Sequence, residues 1–204
     1  MKKVVISILL MFLVLPAFSA QVEEGTKPLE CEITFDWISK TQLQRDENIK
    51  EIQSILFGEK TKLKYSRNEF KKQYENFWKN DNYLKDYDDI SKGKKEDADK
   101  FYCGFYWNKL MIAYGIQYKN NLKNIYYYDA MGSLRWVDTF SGNYPNFPYW
   151  AYQYYRNGEL AAAYYYVSNS DQYIFDEKKK FKGRWYKENM YNKNAKIIMT
   201  RSNW

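Results

Sequence analysis

The chain has 204 residues, including 22 tyrosines, 12 phenylalanines and 7 tryptophans, but it contains no histidine. A chain without histidine has no Ser–His or Cys–His nucleophile pair, no imidazole general base, and not the usual ligand of most zinc sites. The formal net charge of +7 is an ordinary way of keeping a protein soluble and identifies neither a fold nor a partner.

Residues 1–19 have the pattern of a cleavable signal peptide. Two lysines precede an apolar run, Val4–Leu15, which ends at Pro16 and is followed by small residues. This order is typical of secretory signals, and we predict cleavage after Ser19. An uncleaved membrane anchor is the alternative, but a spanning helix needs about 20 apolar residues. We therefore expect a secreted or periplasmic protein with no membrane span after cleavage, formed by one domain over residues 20–204.

Two cysteines, Cys31 and Cys103, remain in the mature chain. Disulfides form in oxidising compartments, and two cysteines allow only one pairing. We therefore predict a Cys31–Cys103 disulfide, with two buried free thiols as the alternative.

A strand and then a helical layer are predicted for the first half of the domain. Residues 31–37 alternate between apolar and polar side chains, and this period of two predicts a half-buried strand. Helical spacing begins near residue 41 and continues to residue 92. In the first helix, Asp46 is the predicted N-cap of a stripe formed by Ile49, Ile52 and Leu56.

A second helix is predicted from Ser66 and Glu69, which have the spacing of a capping box. The apolar residues that follow at helical spacing are Phe70, Tyr74, Phe77 and Trp78. A short third helix is expected through Tyr83, Leu84 and Tyr87.

The charged segment after the second helix contains Asp81, Asp86, Asp88 and Asp89. It lacks the glycine and the oxygen-ligand spacing of a calcium loop, so we expect a solvated acidic stretch and no metal site. No catalytic or cofactor motif is recognised elsewhere, and we expect no cofactor.

From Phe101 to the end, aromatic and β-branched runs are broken by turn residues, which predicts short strands. Tyrosine suits such strands because its ring packs on the sheet while its hydroxyl stays in solvent. The predicted fold is therefore α+β: an antiparallel sheet of six to nine strands, mainly a tyrosine-rich β-meander over residues 100–204, preceded in residues 31–99 by a strand and a small helical layer over residues 41–92.

One pattern recurs in residues 126–134, 152–160 and 173–181. Each copy predicts a strand, a tight turn and a second strand, with glycine at the turn position that needs positive φ. Lys179 replaces this glycine in the third copy, so that turn is expected to be looser or one residue longer.

The form Tyr-x-Tyr-Asp-x-x-Gly-x-Leu resembles the YD repeats of the Rhs family and, more loosely, the MORN-like repeats of secreted bacterial proteins and antitoxins. The resemblance covers about residues 126–181, and only the first copy matches throughout, since Tyr155 replaces the aspartate of the second copy. It implies a β-sheet or β-solenoid scaffold that binds or encloses other molecules, without catalytic residues in the repeats.

Two segments are candidates for binding. The loop at residues 140–150 carries Tyr144, Phe147, Tyr149 and Trp150, an aromatic set that suits a glycan or a peptide. The alternative is that these rings cap the end of the sheet.

The basic run at residues 178–185 mixes lysines with aromatic residues, as in proteins that bind anionic polymers. A lysine-bearing hairpin that guards an edge of the sheet is the alternative. Because the protein is expected outside the cytoplasm, nucleic acid is not an expected partner.

We expect an exported, non-enzymatic binding or structural module that presents an aromatic, mildly basic β surface to a glycan or an envelope protein. One alternative is a carboxylate-based glycan hydrolase, which needs two acidic side chains about 5 to 10 Å apart in a cleft. Another, suggested only by the repeat resemblance, is a secreted toxin or immunity component. The sequence specifies neither the ligand nor the oligomeric state.

Overall fold

The computed structural model describes residues 35–58 and 63–201. The helices are α1 (Gln42–Leu56), α2 (Arg67–Tyr74) and α3 (Tyr83–Ser91), with a 3-10 turn at Glu75–Phe77. The strands are β1 (Lys100–Trp107), β2 (Leu110–Tyr118), β3 (Asn121–Asp129), β4 (Leu134–Gly142), β5 (Tyr149–Tyr155), β6 (Leu160–Ser168), β7 (Asp171–Asp176), β8 (Phe181–Tyr186), β9 (Asn189–Tyr191) and β10 (Ile197–Thr200). The predicted signal peptide lies outside the described residues. None of the described helices has both the length and the apolar character needed to cross a membrane.

The strands form one sheet in which each strand pairs antiparallel with the next along the chain. This arrangement confirms the predicted α+β meander with a small helical layer. The sheet has ten strands, one more than the upper end of the predicted range. The last two strands are short, since β9 has 3 residues and β10 has 4.

The helical layer begins and ends close to the predicted positions. The first helix starts earlier than expected, because Thr41 and Gln44 cap it reciprocally, and Asp46 instead accepts a hydrogen bond from Gln42 Nε2 at 2.9 Å. The predicted N-cap of the second helix is confirmed, since Ser66 Oγ accepts from the backbone N–H of Glu69 at 3.2 Å.

Both faces of the sheet are buried, and alternate residues of each strand therefore enter different cores. The helix-facing core contains Ile52, Leu56, Phe70 and Tyr74 from the helices together with Tyr114, Tyr126, Tyr128, Tyr154 and Phe175 from the strands. The opposite core, on what we call the second face, contains Ile125, Tyr127, Phe140, Tyr149, Tyr164, Tyr166, Ile174 and Trp185. Burial on both faces explains why tyrosines recur at consecutive positions of one strand.

The second face is concave. Phe105 of β1 contacts Tyr127 of β3 with ring centroids 5.6 Å apart, and Phe140 of β4 contacts Tyr166 of β6 at 6.5 Å. In a flat sheet, strands two positions apart are separated by roughly 10 Å. The curvature brings these side chains together, so the sheet buries its own second face.

Four hairpin turns at one end of the sheet share one backbone geometry. Turns 1 to 4 are residues 129–133, 155–159, 176–180 and 192–196. In turn 1, the N–H of Asp129 donates to Ser133 O at 3.0 Å, and the N–H of Gly132 donates to Asp129 O at 2.9 Å. The same two bonds occur at the equivalent positions of turns 2, 3 and 4. The first three turns are the predicted repeats, and turn 4 is a copy that the sequence pattern missed.

The prediction of a looser or longer turn at Lys179 is wrong. Lys179 has a φ of +63°, in the same left-handed region as Gly158 of turn 2, at +85°. Asp176 Oδ1 accepts two backbone N–H bonds within the turn, at 2.9 and 2.8 Å. These bonds from an aspartate side chain hold the tight turn without glycine, and Ala195 of turn 4 has a φ of +59°.

The N-terminal segment is hydrogen-bonded along the row of turns in reverse order. At turn 4, Trp37 Nε1 donates to Asn192 O at 3.0 Å, and Arg45 Nε donates to Lys193 O at 2.8 Å. At turn 3, Gln53 Nε2 on α1 donates to the backbone oxygen of residue 179 at 2.6 Å.

The next two turns accept hydrogen bonds from the backbone itself. At turn 2, the N–H of Tyr65 donates to Gly158 O at 3.0 Å. At turn 1, the N–H of Asn80 donates to Gly132 O at 2.8 Å, and the N–H of Leu134 donates to Trp78 O at 3.1 Å. Each turn therefore holds a different part of the helical layer.

The described part of the predicted strand at residues 31–37 is not a strand. Residues 35–37 lie against the face of the sheet rather than along an edge, so no neighbouring strand is available for pairing. Trp37 is fully buried and lies 5.6 Å from Tyr173 between ring centroids, while Phe35 stacks on Tyr186 at 4.3 Å. Residues 31–34 lie outside the described part of the chain.

We predict that Lys179→Gly raises the free energy of unfolding by about 1 kcal/mol, because the left-handed conformation costs a non-glycine residue about that much. Urea unfolding measures the change. Lys178→Gly, at the neighbouring exposed position, is the matched control and is expected to lower stability.

In the reverse experiment, Gly158→Ala is expected to lower stability by about 2 kcal/mol or more. A Cβ at this position would lie 2.8 Å from the backbone oxygen of Tyr65, in addition to the unfavourable φ. Equal destabilisation by Lys179→Gly and Lys178→Gly would contradict the shared turn geometry.

Candidate functional site

The structure divides the four ligand-binding candidates of the β4–β5 loop between the two faces of the sheet. Tyr149 is buried on the second face and stacks on Tyr166 at 4.6 Å. Phe147 stacks on Tyr149 at 5.0 Å and is 38% exposed. Trp150 lies on the other face, packed against the helix-facing core.

Tyr144 lies over one end of the second face. Its ring stacks on Phe140 at 4.3 Å, and its hydroxyl accepts a hydrogen bond from Gln117 Nε2 of β2 at 2.9 Å. The loop therefore brings Tyr144, Phe147 and Tyr149 together as a cover for the end of this face and leaves Trp150 apart from them.

Cys103 lies on the second face and is 6% exposed, and burial raises the pKa of its thiol well above the usual range. The other half of the predicted disulfide, Cys31, lies outside the described residues. The bridge stays a prediction.

The acidic segment after the second helix is not uniformly solvated. Asp86 on α3 is fully buried; its oxygens accept hydrogen bonds from Asn80 Nδ2 at 2.9 Å and from the Tyr102 hydroxyl at 3.0 Å. Lys100 Nζ lies 3.4 Å from the same carboxylate. Asp86 therefore fixes α3 to β1, whereas Asp88, which forms an ion pair with Lys92 at 2.6 Å, remains exposed.

The basic run at residues 178–185 does not guard an edge, because β8 pairs with both β7 and β9. Arg184 is buried and donates to both carboxylate oxygens of Asp171, at 2.7 and 2.5 Å. Its guanidinium carbon lies 5.1 Å from the Trp37 ring centroid. The run is thus divided among an exposed turn, a buried ion pair and the second-face core.

A depression of about 360 Å³, which we call the arginine depression, lies beside turns 1 and 2. It is lined by Leu134, Arg135, Trp136, Tyr155, Arg156 and Asn157. Trp136 and Tyr155 are directly opposite each other on β4 and β5. Arg135 of β4 and Arg156, which follows β5 in turn 2, are neighbours, since the N–H of Arg156 donates to Arg135 O at 3.1 Å. The geometry combines two aromatic rings with two guanidinium groups at the surface.

The positive charge of this depression is only partly neutralised. Arg135 pairs with Asp129 of turn 1 at 2.8 Å, and the Arg135 side chain is 57% exposed. The Arg156 guanidinium lies over Trp78 at 4.3 Å. Partial desolvation, followed by the like charges of Arg135 and Arg67, lowers the pKa of Arg156, and Asp129 opposes this effect. The depression itself thus contains two arginines, with Asp129 as the opposing charge.

The second face contains a different kind of site, which we call the polar line. It consists of Asp138, Gln153, Tyr164, Gln172 and Trp185, one residue on each of the consecutive strands β4 to β8. All five are at most 2% exposed. Among the described residues, six buried side-chain atoms have no hydrogen-bond partner, and all six belong to this line. Such an atom costs about 1–3 kcal/mol when it stays unpaired.

Asp138 is the only carboxylate of the polar line. Its Oδ2 accepts a hydrogen bond from the Tyr127 hydroxyl at 2.9 Å. Burial raises the pKa of Asp138 to about 7, while the Tyr127 hydroxyl and the Gln153 amide act in the opposite direction. Burial also raises the pKa of Tyr127, Tyr164 and Tyr166 well above the usual value, so these groups stay neutral where Asp138 titrates.

The Asp138 carboxyl makes stability depend on pH. Its pKa in the folded state, about 7, exceeds the unfolded value of roughly 3.9, so the free energy of unfolding falls as pH rises between these values. Asp138→Asn removes this titration and keeps an acceptor for Tyr127. We expect the variant to gain up to ~4 kcal/mol relative to the wild type between pH 4 and pH 8, measured by urea unfolding.

Asp88→Asn, at an exposed position, is the control and is expected to show nearly the same difference from the wild type at both pH values. An Asp138→Asn effect that is independent of pH would contradict the raised pKa.

Comparison with known proteins assigns the chain to no family. No family model, curated protein or solved structure matches the chain. The likeness to YD and MORN-like repeats therefore depends on the repeat residues alone, and the candidate sites are defined by the arginine depression and the polar line.

Proposed function

We propose that the protein is an exported, non-enzymatic binding module and that the arginine depression binds acidic glycans. One observation carries the proposal: Arg135 and Arg156 line the same depression as Trp136 and Tyr155, which are directly opposite each other on β4 and β5. Sugar rings stack on aromatic side chains. The planar guanidinium group matches the geometry of carboxylate, sulfate and phosphate groups.

The charges around the depression favour an anionic ligand over a neutral one. The like charges of Arg135 and Arg67 act on Arg156, with Asp129 as the opposing charge. Asp129 also accepts two backbone N–H bonds of turn 1 through its Oδ1, at 3.0 and 2.9 Å. Its Oδ2 pairs with Arg135 at 2.8 Å, so this aspartate is committed to the turn and to Arg135, whereas the Arg156 guanidinium lies over Trp78.

A carboxylate-based hydrolase has less support. The buried carboxylates of the described residues are Asp86, Asp138 and Asp171. Each is bound to a different kind of partner: to Asn80 and Tyr102, to Tyr127, and to Arg184, respectively. These three residues do not supply the facing pair that the reaction needs. A toxin or immunity role is supported only by the repeat resemblance.

The test compares binding of alginate, an acidic polysaccharide, with binding of neutral dextran by isothermal titration calorimetry at low salt. We expect the wild type to bind alginate and not dextran, with an affinity that falls as salt rises. The double variant Arg135→Gln/Arg156→Gln is expected to bind alginate at least about tenfold more weakly, a loss of ~1.4 kcal/mol.

Lys178→Gln/Lys180→Gln removes the same charge from the exposed turn 3 and is the matched control. It is expected to reduce the affinity less than about threefold. Equal losses in the two double variants would show that only net charge matters, and wild-type binding to dextran as tight as to alginate would contradict an acidic ligand.

A further inference from the structure

The polar line is contiguous across the second face. Asp138 is directly opposite Gln153 on the neighbouring strand. Gln153 is opposite Ala162, which places Tyr164 diagonally next to Gln153 on the same face, because residues two apart in a strand share a face. The first three members therefore form one continuous row of polar groups.

The row continues in the same diagonal direction to β8. Tyr164 is opposite Ile174, so Gln172 is its diagonal neighbour on the same face. Gln172 is directly opposite Trp185. The five strands thus each add one hydrogen-bonding side chain to a single diagonal, and none of these side chains is more than 2% exposed.

Two of the six atoms without partners, Gln153 Nε2 and Asp138 Oδ1, belong to directly opposite residues that already interact, since the Gln153 amide lowers the pKa of Asp138. The others are the donors Gln172 Nε2 and Trp185 Nε1, the acceptor Gln172 Oε1, and the Tyr164 hydroxyl, which serves as both. Each such atom costs about 1–3 kcal/mol while it stays unpaired. A hydrogen-bonding guest at this position would remove that cost.

We propose that the polar line is an enclosed binding site for a small uncharged molecule that carries several hydroxyl groups, such as a monosaccharide or a linear polyol. The one charged group of the line is the Asp138 carboxyl, which disfavours an anion, and the Arg201 guanidinium lies over the Trp185 ring at 4.4 Å. Hydroxyl groups both donate and accept, which matches the mixture of donors and acceptors. The site shares no residue with the arginine depression.

The indole N–H of Trp185 provides a direct probe of occupancy. The protein is labelled with 15N in its tryptophan indoles, the Trp185 resonance is assigned with Trp185→Phe, and D-glucose or D-sorbitol is added at millimolar concentrations with long equilibration. We expect a saturable shift of the Trp185 resonance with at least one probe, and the stronger probe identifies a ring sugar or a linear polyol. Trp37 is the internal control, because its Nε1 already donates to Asn192 O on the other side of the sheet.

A matched pair of variants tests whether the line itself binds the probe. Tyr164→Phe removes one partnerless hydroxyl and is expected to weaken probe binding at least about tenfold. Tyr166→Phe removes a hydroxyl from the same strand and face that is not among the partnerless atoms, and it is expected to bind as the wild type does. Thermal unfolding verifies that both variants fold.

The proposal is overturned by an unchanged Trp185 resonance with both probes, which would assign the polar line to internal water alone. Equal shifts of Trp185 and Trp37 would also overturn it, because they would indicate a general solvent effect. So would equal loss of binding in Tyr164→Phe and Tyr166→Phe.

Discussion

The hydrogen bonds between the N-terminal segment and the four hairpin turns determine how the two parts of the protein fit together. The meander is built from neighbouring strands, and its turns present backbone oxygen atoms at one end of the sheet. Trp37, Gln53, Tyr65 and Asn80 donate to the oxygens of successive turns. The repeat spacing therefore sets the positions at which the helical layer is attached, and the layer in turn buries one face of the sheet.

Glycine has two roles in this attachment. At Gly158, positive φ closes the turn, and the missing side chain allows the backbone of Tyr65 to approach. At Gly132 a Cβ would lie 2.5 Å from Tyr83 Cβ. Turn 3 has Lys179 at the equivalent position and is contacted by the long side chain of Gln53 instead of a backbone strand. Because a side chain and not the backbone of the helical layer makes this contact, the Lys179 side chain can be accommodated in turn 3.

Much of the fold was predictable because its helices and hairpins are determined by patterns among residues that are close in the sequence. The capping residue Ser66, the apolar stripe of α1 and the strand–turn–strand form of the repeats depend on neighbours in the sequence. Turn 4 escaped recognition because Asn192 and Ala195 replace the aspartate and glycine of the pattern, although the Asn-x-x-Ala spacing retains the side-chain oxygen that holds the turn. The sequence did not reveal the strong curvature, which arises from contacts between strands that are not neighbours.

The candidate sites were harder to predict for the same reason. A tyrosine was expected to keep its hydroxyl in solvent, yet the Tyr127 hydroxyl reaches the buried Asp138. Asp138, Gln153 and Gln172 lie on different strands and form a line only through the register of the sheet. Arg135 and Arg156 likewise come together through pairing of β4 and β5. The loop candidates were selected as an aromatic cluster, but the structure uses most of their rings to cover the second face.

Two candidate sites follow from this architecture. The end of the sheet that carries the turns places two arginines beside the half-buried Trp136 and Tyr155, whereas the concave face encloses hydrogen-bonding groups away from solvent. Both depend on the same strand register, and that register is fixed at the turns by the helical layer. Damage to the attachment of the layer is therefore expected to affect both sites together, even though they have no residue in common.

Native-state hydrogen exchange of individual backbone amides tests the attachment most directly. The N–H groups of Tyr65 and Asn80 donate to Gly158 O and Gly132 O, so the account predicts that they exchange with the same opening free energy as central amides of the sheet, such as that of Tyr126. Exchange of Tyr65 and Asn80 at the rate of solvent-exposed amides, while the sheet stays protected, would contradict it.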